Sequence, residues 1–218
     1  MEKLYTYLVA SLPELSLEFG TSEHGFGVKH FDYDKIMDEV RRCIDKEDAK
    51  HLRLLLLGLD RPTPYLYQKT AKSKNRFVRE FFMFDVDLRN IQAGVVARRT
   101  GQTVDSYIVG SNEITEAILA NKGVDFGFES DELKKIIATL EVRDILEREQ
   151  KMDLLRWEKV NELSFYSYFN ADAVLAFVVK AFLINRWMQL DKERGAAMFK
   201  QLLHECRGAS TFVKMPES

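Results

Sequence analysis

Between Phe77 and Val95, six large apolar side chains (Phe77, Phe81, Phe84, Leu88, Ile91 and Val95) recur at alternating spacings of four and three residues. An α-helix closes a turn every 3.6 residues, so this spacing sets all six on one seam, whereas a strand would scatter them over two faces. Val78, Phe82 and Val96 widen the seam on one side. Arg76 with Glu80, and Asp85 with Arg89, stand four apart and are placed to pair along the helix wall. Arg98 and Arg99 fall in the last turn, where the helix dipole favours cations, and Gly101 supplies the left-handed residue that ends it. A helix from Ser73 to Thr100 would run about 42 Å at 1.5 Å per residue. A rod of that length with one greasy edge needs other helices to bury it.

The rest of the chain is punctuated for helices as well. Asp32 is placed to cap a helix over Tyr33–Ile44, with Ile36, Met37, Val40 and Ile44 on one face. Asp45 or Asp48 restarts the pattern, which Leu52, Leu55, Leu56 and Leu59 carry to the breaker Arg61-Pro62-Thr63-Pro64. Ser111 or Asn112 opens a short helix ending near Gly123, and Ser130 opens a charged helical stretch reaching about Leu163. Arg143, Glu147 and Lys151 form a ladder on that stretch. Asn170 caps a helix over Ala171–Leu190 that is apolar nearly all round, which requires helices on every side of it. A last amphipathic helix is expected over about Lys192–Arg207. Val104–Val109 is the only short candidate for a strand. The fold class expected is therefore all-α, an elongated helical bundle with one long central helix. It reads as one helical domain over 1–218, with a division into two helical subdomains (about 1–125 and 126–218) as the open alternative.

Composition narrows the function classes. With 32 basic against 34 acidic side chains the net charge is −2. Nucleic-acid binders carry a positive excess, because neutralising phosphates and releasing counterions drives their binding; no nucleic-acid partner is expected. Cys43 and Cys206 have no CxxC spacing, which argues against a zinc cluster or disulfide framework and fits a reducing compartment. The segment Met1–Ala10 lacks the core and cleavage site of a signal peptide. The most apolar stretch, Ala171–Leu190, is interrupted by Asp172, Lys180, Asn185 and Arg186. A membrane span needs about 20 nearly uninterrupted apolar residues, so no direct membrane insertion is expected.

The candidate sites read mostly as structure. Asp85 and Asp87, two apart on a helix, point in nearly opposite directions and do not converge on a metal; Asp85 is expected to pair with Arg89. His24 and His30 bracket Gly25-Phe26-Gly27, but the loop follows no strand and opens no helix, as a phosphate loop would. His204, Glu205 and Cys206 splay apart on a helix, and His51 reads as a helix-surface residue. Lys69, Lys72, Lys74, Arg76 and Arg79 make one basic stretch with no acid among them, either a solvated helix start or a contact for an acidic protein surface. Phe165-Tyr166-Ser167-Tyr168-Phe169 offers rings that stack on bases in other settings, but before a buried helix it reads as core. No catalytic, cofactor-binding or metal-ligating residue is assigned, and no cofactor is expected.

Several stretches resemble known proteins. Tyr5-Thr6-Tyr7-Leu8-Val9-Ala10-Ser11-Leu12-Pro13-Glu14-Leu15 resembles the start of an uncharacterised bacterial family encoded among V-type ATPase genes, and Arg156–Trp187 matches that family as well. Arg79–Gly101 (REFFMFDVDLRNIQAGVVARRTG) resembles the aromatic-acidic-Leu-Arg-Asn helix of the V/A-type ATPase C subunit, whose eukaryotic counterpart is the d subunit. Gln102–Gly110 continues as that family does towards its turn, reading Tyr107-Ile108-Val109-Gly110 without the family's proline. The C subunit is a helical funnel of three related repeats that caps the membrane rotor ring and receives the foot of the central shaft, with no active site and no cofactor. The resemblance implies a shortened, non-catalytic protein of this kind, a pseudo-repeat of helical subdomains, and other V/A-type ATPase subunits (rotor shaft and membrane ring) as partners. It implies a cytoplasmic location, peripheral on the inner face of the cell membrane through the complex. Open beside it stand an assembly or regulatory factor for that ATPase, an unrelated helical interaction scaffold, and an enzyme whose groove would use Asp85, Arg89 and His204.

Overall fold

The computed structural model describes residues 4–17, 31–120, 123 and 125–189. The chain is all-helical: among the described residues there are nine α-helices and no strand. They are α1 (Thr6–Ser11), α2 (Tyr33–Cys43), α3 (Asp48–Asp60), α4 (Pro64–Ala71), α5 (Arg76–Thr100), α6 (Glu113–Ala120), α7 (Asp131–Leu140), α8 (Ile145–Ser164) and α9 (Ala171–Gln189). The segment Val104–Val109 holds a single 3₁₀ turn at Asp105–Tyr107, not a strand. The helix expected over Lys192–Arg207 lies outside the described residues.

Local chemistry sets most of the boundaries. The Asp32 carboxylate accepts the Lys35 amide at α2, and Asn75 accepts the Val78 amide at α5. Asn170 accepts the Ala173 amide at α9. Ahead of α3 the Asp45 carboxylate accepts the Glu47 and Asp48 amides. At the far end of α5, Gly101 adopts φ +66°, the left-handed value expected there, and its amide closes on Ala97 and Arg98 carbonyls. Three expectations need correction. The breaker at Arg61–Pro64 also starts a helix: Thr63 caps α4, and Pro64 at its first position lacks only an amide hydrogen that would be unpaired there anyway. The long helix begins at Arg76 rather than Ser73, because Asn75 caps it; its 25 residues span about 37 Å. The charged stretch after Ser130 is two helices, since Asp144 caps a fresh start by accepting the Glu147 amide at 2.7 Å.

The packing puts α5 at the centre. Its first half, with Phe77, Val78, Phe81 and Phe82, lies in one hydrophobic cluster with residues of α1 to α4, the end of α8 and α9. Its second half, with Leu88, Ile91 and Val95, lies in another with Ile118 of α6, Phe126, Phe128, Ile136, Ile137 and Leu140 around α7, and Met152 and Leu155 of α8. One helix thus belongs to both cores. In the first, α3 crosses α5 at Gly58 so closely that a Cβ there would lie 2.3 Å and 2.6 Å from the Cζ and Cε1 atoms of Phe82. That ring is buried with its edge towards Tyr67 and Phe81, so it has nowhere to move. Gly58→Ala is therefore expected to lower stability by about 1–3 kcal/mol in chemical denaturation, the overpacking outweighing alanine's better helix propensity. A neutral or stabilising result would show that the helices slide apart at no cost.

Candidate functional site

Where the two hydrophobic clusters meet, the buried face of α5 carries a carboxylate. Asp85 is only 3% exposed, while Phe84, expected on the seam, is half-buried at its edge with Lys159 over its ring. The seam runs Phe77, Phe81, Asp85, Leu88, Ile91, Val95, one charge among five apolar side chains. As expected, Arg89 pairs with Asp85: its Nε donates to Oδ2 at 2.8 Å. The other oxygen takes a partner that no local pattern indicates. Arg156 of α8 donates from Nε to Asp85 Oδ1 at 2.8 Å, and from Nη1 to Asp153 Oδ1 at 2.8 Å. Tyr67 of α4 adds its hydroxyl to Asp85 Oδ2 at 3.2 Å.

From Asp153, which is fully buried, the chain of contacts continues into α9. Trp187 Nε1 donates to Asp153 Oδ2 at 2.7 Å, and Arg186 Nη2 lies 3.2 Å from the same oxygen and 3.3 Å from Glu149 Oε2. Three acids (Asp85, Asp153, Glu149) and three guanidiniums (Arg89, Arg156, Arg186) thus neutralise one another across α5, α8 and α9, with α4 attached through Tyr67. Among the described residues no buried side-chain nitrogen or oxygen lacks a hydrogen-bond partner.

The electrostatics follow from that closure. Burial alone would raise the Asp85 carboxyl, but Arg156 and Arg89 outweigh it and hold the group below the usual carboxylate range. Burial alone would also lower the Arg156 guanidinium, and Asp85 and Asp153 reverse this, so it holds its proton more tightly than an exposed one. Burial, and then the Asp85 charge, pushes the Tyr67 hydroxyl up, which keeps it a donor. The Asp85 and Arg156 charges are thus stabilised by each other and by their neighbours. A buried ion pair adds little over well-packed apolar groups, but removing one partner leaves an uncompensated buried charge.

The remaining candidates do not gather around this layer. Asp87 points away from it and accepts the Asn112 side-chain amide at 2.8 Å; burial raises its carboxyl, and that hydrogen bond opposes the rise. His51, half-buried on α3, has its Nδ1 3.4 Å from Ser73 Oγ. Cys43 is exposed and free. The His24–His30 loop and His204, Glu205 and Cys206 lie outside the described residues. No group of three or more His, Cys, Asp or Glu placed to hold a metal occurs among the described residues. A groove of about 730 Å³ opens between α2, α3 and α9, floored by Ile44, Leu52 and Phe182 and edged by Arg41, Arg53 and Asp60. No described helix is long and apolar enough to cross a membrane.

One expectation is overturned at the surface. Phe165, Tyr166, Tyr168 and Phe169, read from the sequence as core, are all exposed. They lie in the turn between α8 and α9, past Leu163 and ahead of Val174, the buried residues that flank it.

A family model described as "Protein of unknown function (DUF2764)" matches residues 47–209. The chain belongs to this family. The DUF2764 match takes in α3 to α9 and with them every member of the buried charge layer, from Tyr67 to Trp187. No curated protein and no solved structure matches the chain.

Proposed function

We propose that the chain is a non-catalytic component of a bacterial V/A-type ATPase, similar to its C subunit, joining the central rotor shaft to the membrane ring through helical surfaces. The observation that carries this reading is where the resemblance falls. The two longest segments that resemble the ATPase-associated proteins, Arg79–Gly101 and Arg156–Trp187, are the segments joined by the Asp85–Arg156 pair and its extension to Trp187. Those segments hold both ends of the Asp85–Arg156 pair that ties α5 to α8, and Trp187 of α9 beside it. A part that transmits torque or holds two assemblies in register needs that stiffness. A layer of charges that satisfy one another supports a mechanical role over a reactive one, because a catalytic group must keep a valence open for substrate.

The test is affinity purification of the tagged full chain from its native membranes in mild detergent. Recovery of the ATPase subunits, with the chain present once per complete complex, is the expected result. Recovery only with incomplete complexes would make it an assembly factor, and recovery of no ATPase subunit would remove the ATPase reading altogether.

A further inference from the structure

At one end of the bundle three short segments are tied together, and the surface they make is unlike the rest of the molecule. The Tyr5 amide donates to the Phe169 carbonyl. Asn75 donates from Nδ2 to Asp172 Oδ1 at 2.6 Å, and Arg76 from Nη2 to the Leu163 carbonyl at 3.2 Å. Residues 4–7, the start of α5 and the α8–α9 turn therefore share one end. On them Leu4, Tyr7, Phe165, Tyr166, Tyr168 and Phe169 are exposed by 43–94%. Scattered exposed apolar residues are ordinary; six gathered on two joined segments are not. Phe165 and Tyr166 meet edge to face at 4.8 Å and 89° and prop each other up.

Beside these rings the charge is positive. Lys72, Lys74 and Arg76 are exposed, and no acid occurs between Tyr67 and Arg79. Of the acids on the adjoining elements, Glu80 pairs with Arg76 and Glu162 with Lys159, while Asp172 accepts the Asn75 amide and Asp48 the Tyr5 hydroxyl. No ion pair holds Lys72 or Lys74 among the described residues.

The form of the patch discriminates between partners. A protein partner is usually anchored by side chains entering pockets with packed walls. Here the rings stand on a turn and project outwards, and three of the six residues are tyrosines, whose apolar ring and polar tip suit the boundary between headgroups and hydrocarbon. Unpaired lysines beside such rings match the plane of lipid phosphates. We propose that this end of the bundle docks on the surface of an anionic lipid bilayer, with the rings of the 165–169 turn and Tyr7 entering the headgroup layer and Lys72 and Lys74 facing lipid phosphates. The attachment is interfacial, since no described helix can span the bilayer. It does not rest on the ATPase reading: a chain that binds vesicles yet recovers no ATPase subunit keeps this proposal and loses the other.

The experiment is co-sedimentation of the full-length chain with vesicles of phosphatidylcholine alone, or with about one-third phosphatidylglycerol. The expected result is at least about tenfold stronger partition onto the anionic vesicles, weakened by salt, since each lysine near such a surface contributes roughly a factor of five. Lys72→Glu with Lys74→Glu should reduce the partition at least about tenfold. Phe165→Ser with Tyr166→Ser should reduce it at low and high salt alike. All four positions are exposed, and an unchanged helical circular dichroism spectrum would verify the fold. A wild-type chain that stays in the supernatant, equal binding to both vesicles, or binding unmoved by the ring replacements overturns the proposal. So does a chain that ignores vesicles while the same variants lose a protein partner, which would assign the patch to an acidic protein surface.

Discussion

Asp85→Ala is expected to lower the stability of the chain by about 3–5 kcal/mol, the range for removing one partner of a buried pair. The loss comes less from the missing contacts than from what they leave behind: Arg156, 8% exposed, would keep its charge with Asp153 as its one carboxylate, and the Tyr67 hydroxyl would face no acceptor. For a chain of this size that corresponds to a fall in Tm on the order of 10 °C. The double replacement Asp85→Leu with Arg156→Met should recover part of the loss, because the buried guanidinium goes with its partner, Asp153 keeps Arg186 and Trp187, and Arg89 is left to solvent. The effect also has a pH signature. Asp85 is held below its ordinary range, so its contribution is present above the unfolded carboxyl's value, about 3.9, and is lost as pH falls through the folded value. Below about pH 4 the wild type should therefore lose stability more steeply than Asp85→Asn, which does not titrate. Denaturation curves from pH 7 to pH 2 check both points; a cost under about 1 kcal/mol for Asp85→Ala would mean that the layer is not structural.

Phe81→Ala should cost a similar amount, about 3–5 kcal/mol, for a different reason. The Phe81 ring is completely buried, stacked parallel to Phe77 at 6.1 Å and edge-on to Phe82 at 5.3 Å. Its removal opens a cavity between rings that are themselves wedged, Phe82 against Gly58, so the site cannot collapse to refill it. Because Phe81 and Asp85 share a helix face, their effects should be sub-additive in the double variant: the first loss loosens the helix that the second would strain. Urea denaturation of the two single variants and the double measures this.

The two-core plan explains what can and cannot be read from the chain. The seam of α5 is legible because period and residue size agree over five turns. Local pattern nevertheless puts Phe84 on the seam and Asp85 off it, the reverse of what is found, since neighbours on a helix stand only about 100° apart and spacings of three and four fit either residue. What decides for Asp85 is Arg156, 71 residues away and outside any pattern on α5 itself. A signal does exist: on α8, Met152, Arg156, Val160 and Leu163 follow one stripe, and Arg156 is the cation out of place. Two charges of opposite sign, each interrupting an apolar stripe, are candidates to meet. The exposed turn at 165–169 misleads because rings are core by habit, and only the tertiary arrangement shows that these four stay exposed. α4 escapes because Thr63-Pro64 reads as an ending, when threonine followed by proline is equally a helix start. The cap residues Asp32, Asn112 and Asn170, in contrast, act through atoms three residues away at most, which is why local reading reaches them.

The account rests on α5 holding both cores as one body, with the Asp85 layer as the clamp between them. Native-state hydrogen exchange in low denaturant measures this directly, residue by residue. Amides from Phe81 to Val95 should exchange only through global unfolding, with the same opening free energy on both sides of Asp85. If the amides of Leu88 to Val95 instead open several kcal/mol more easily than those of Phe77 to Phe84, the helix is two independent pieces and the strut does not exist.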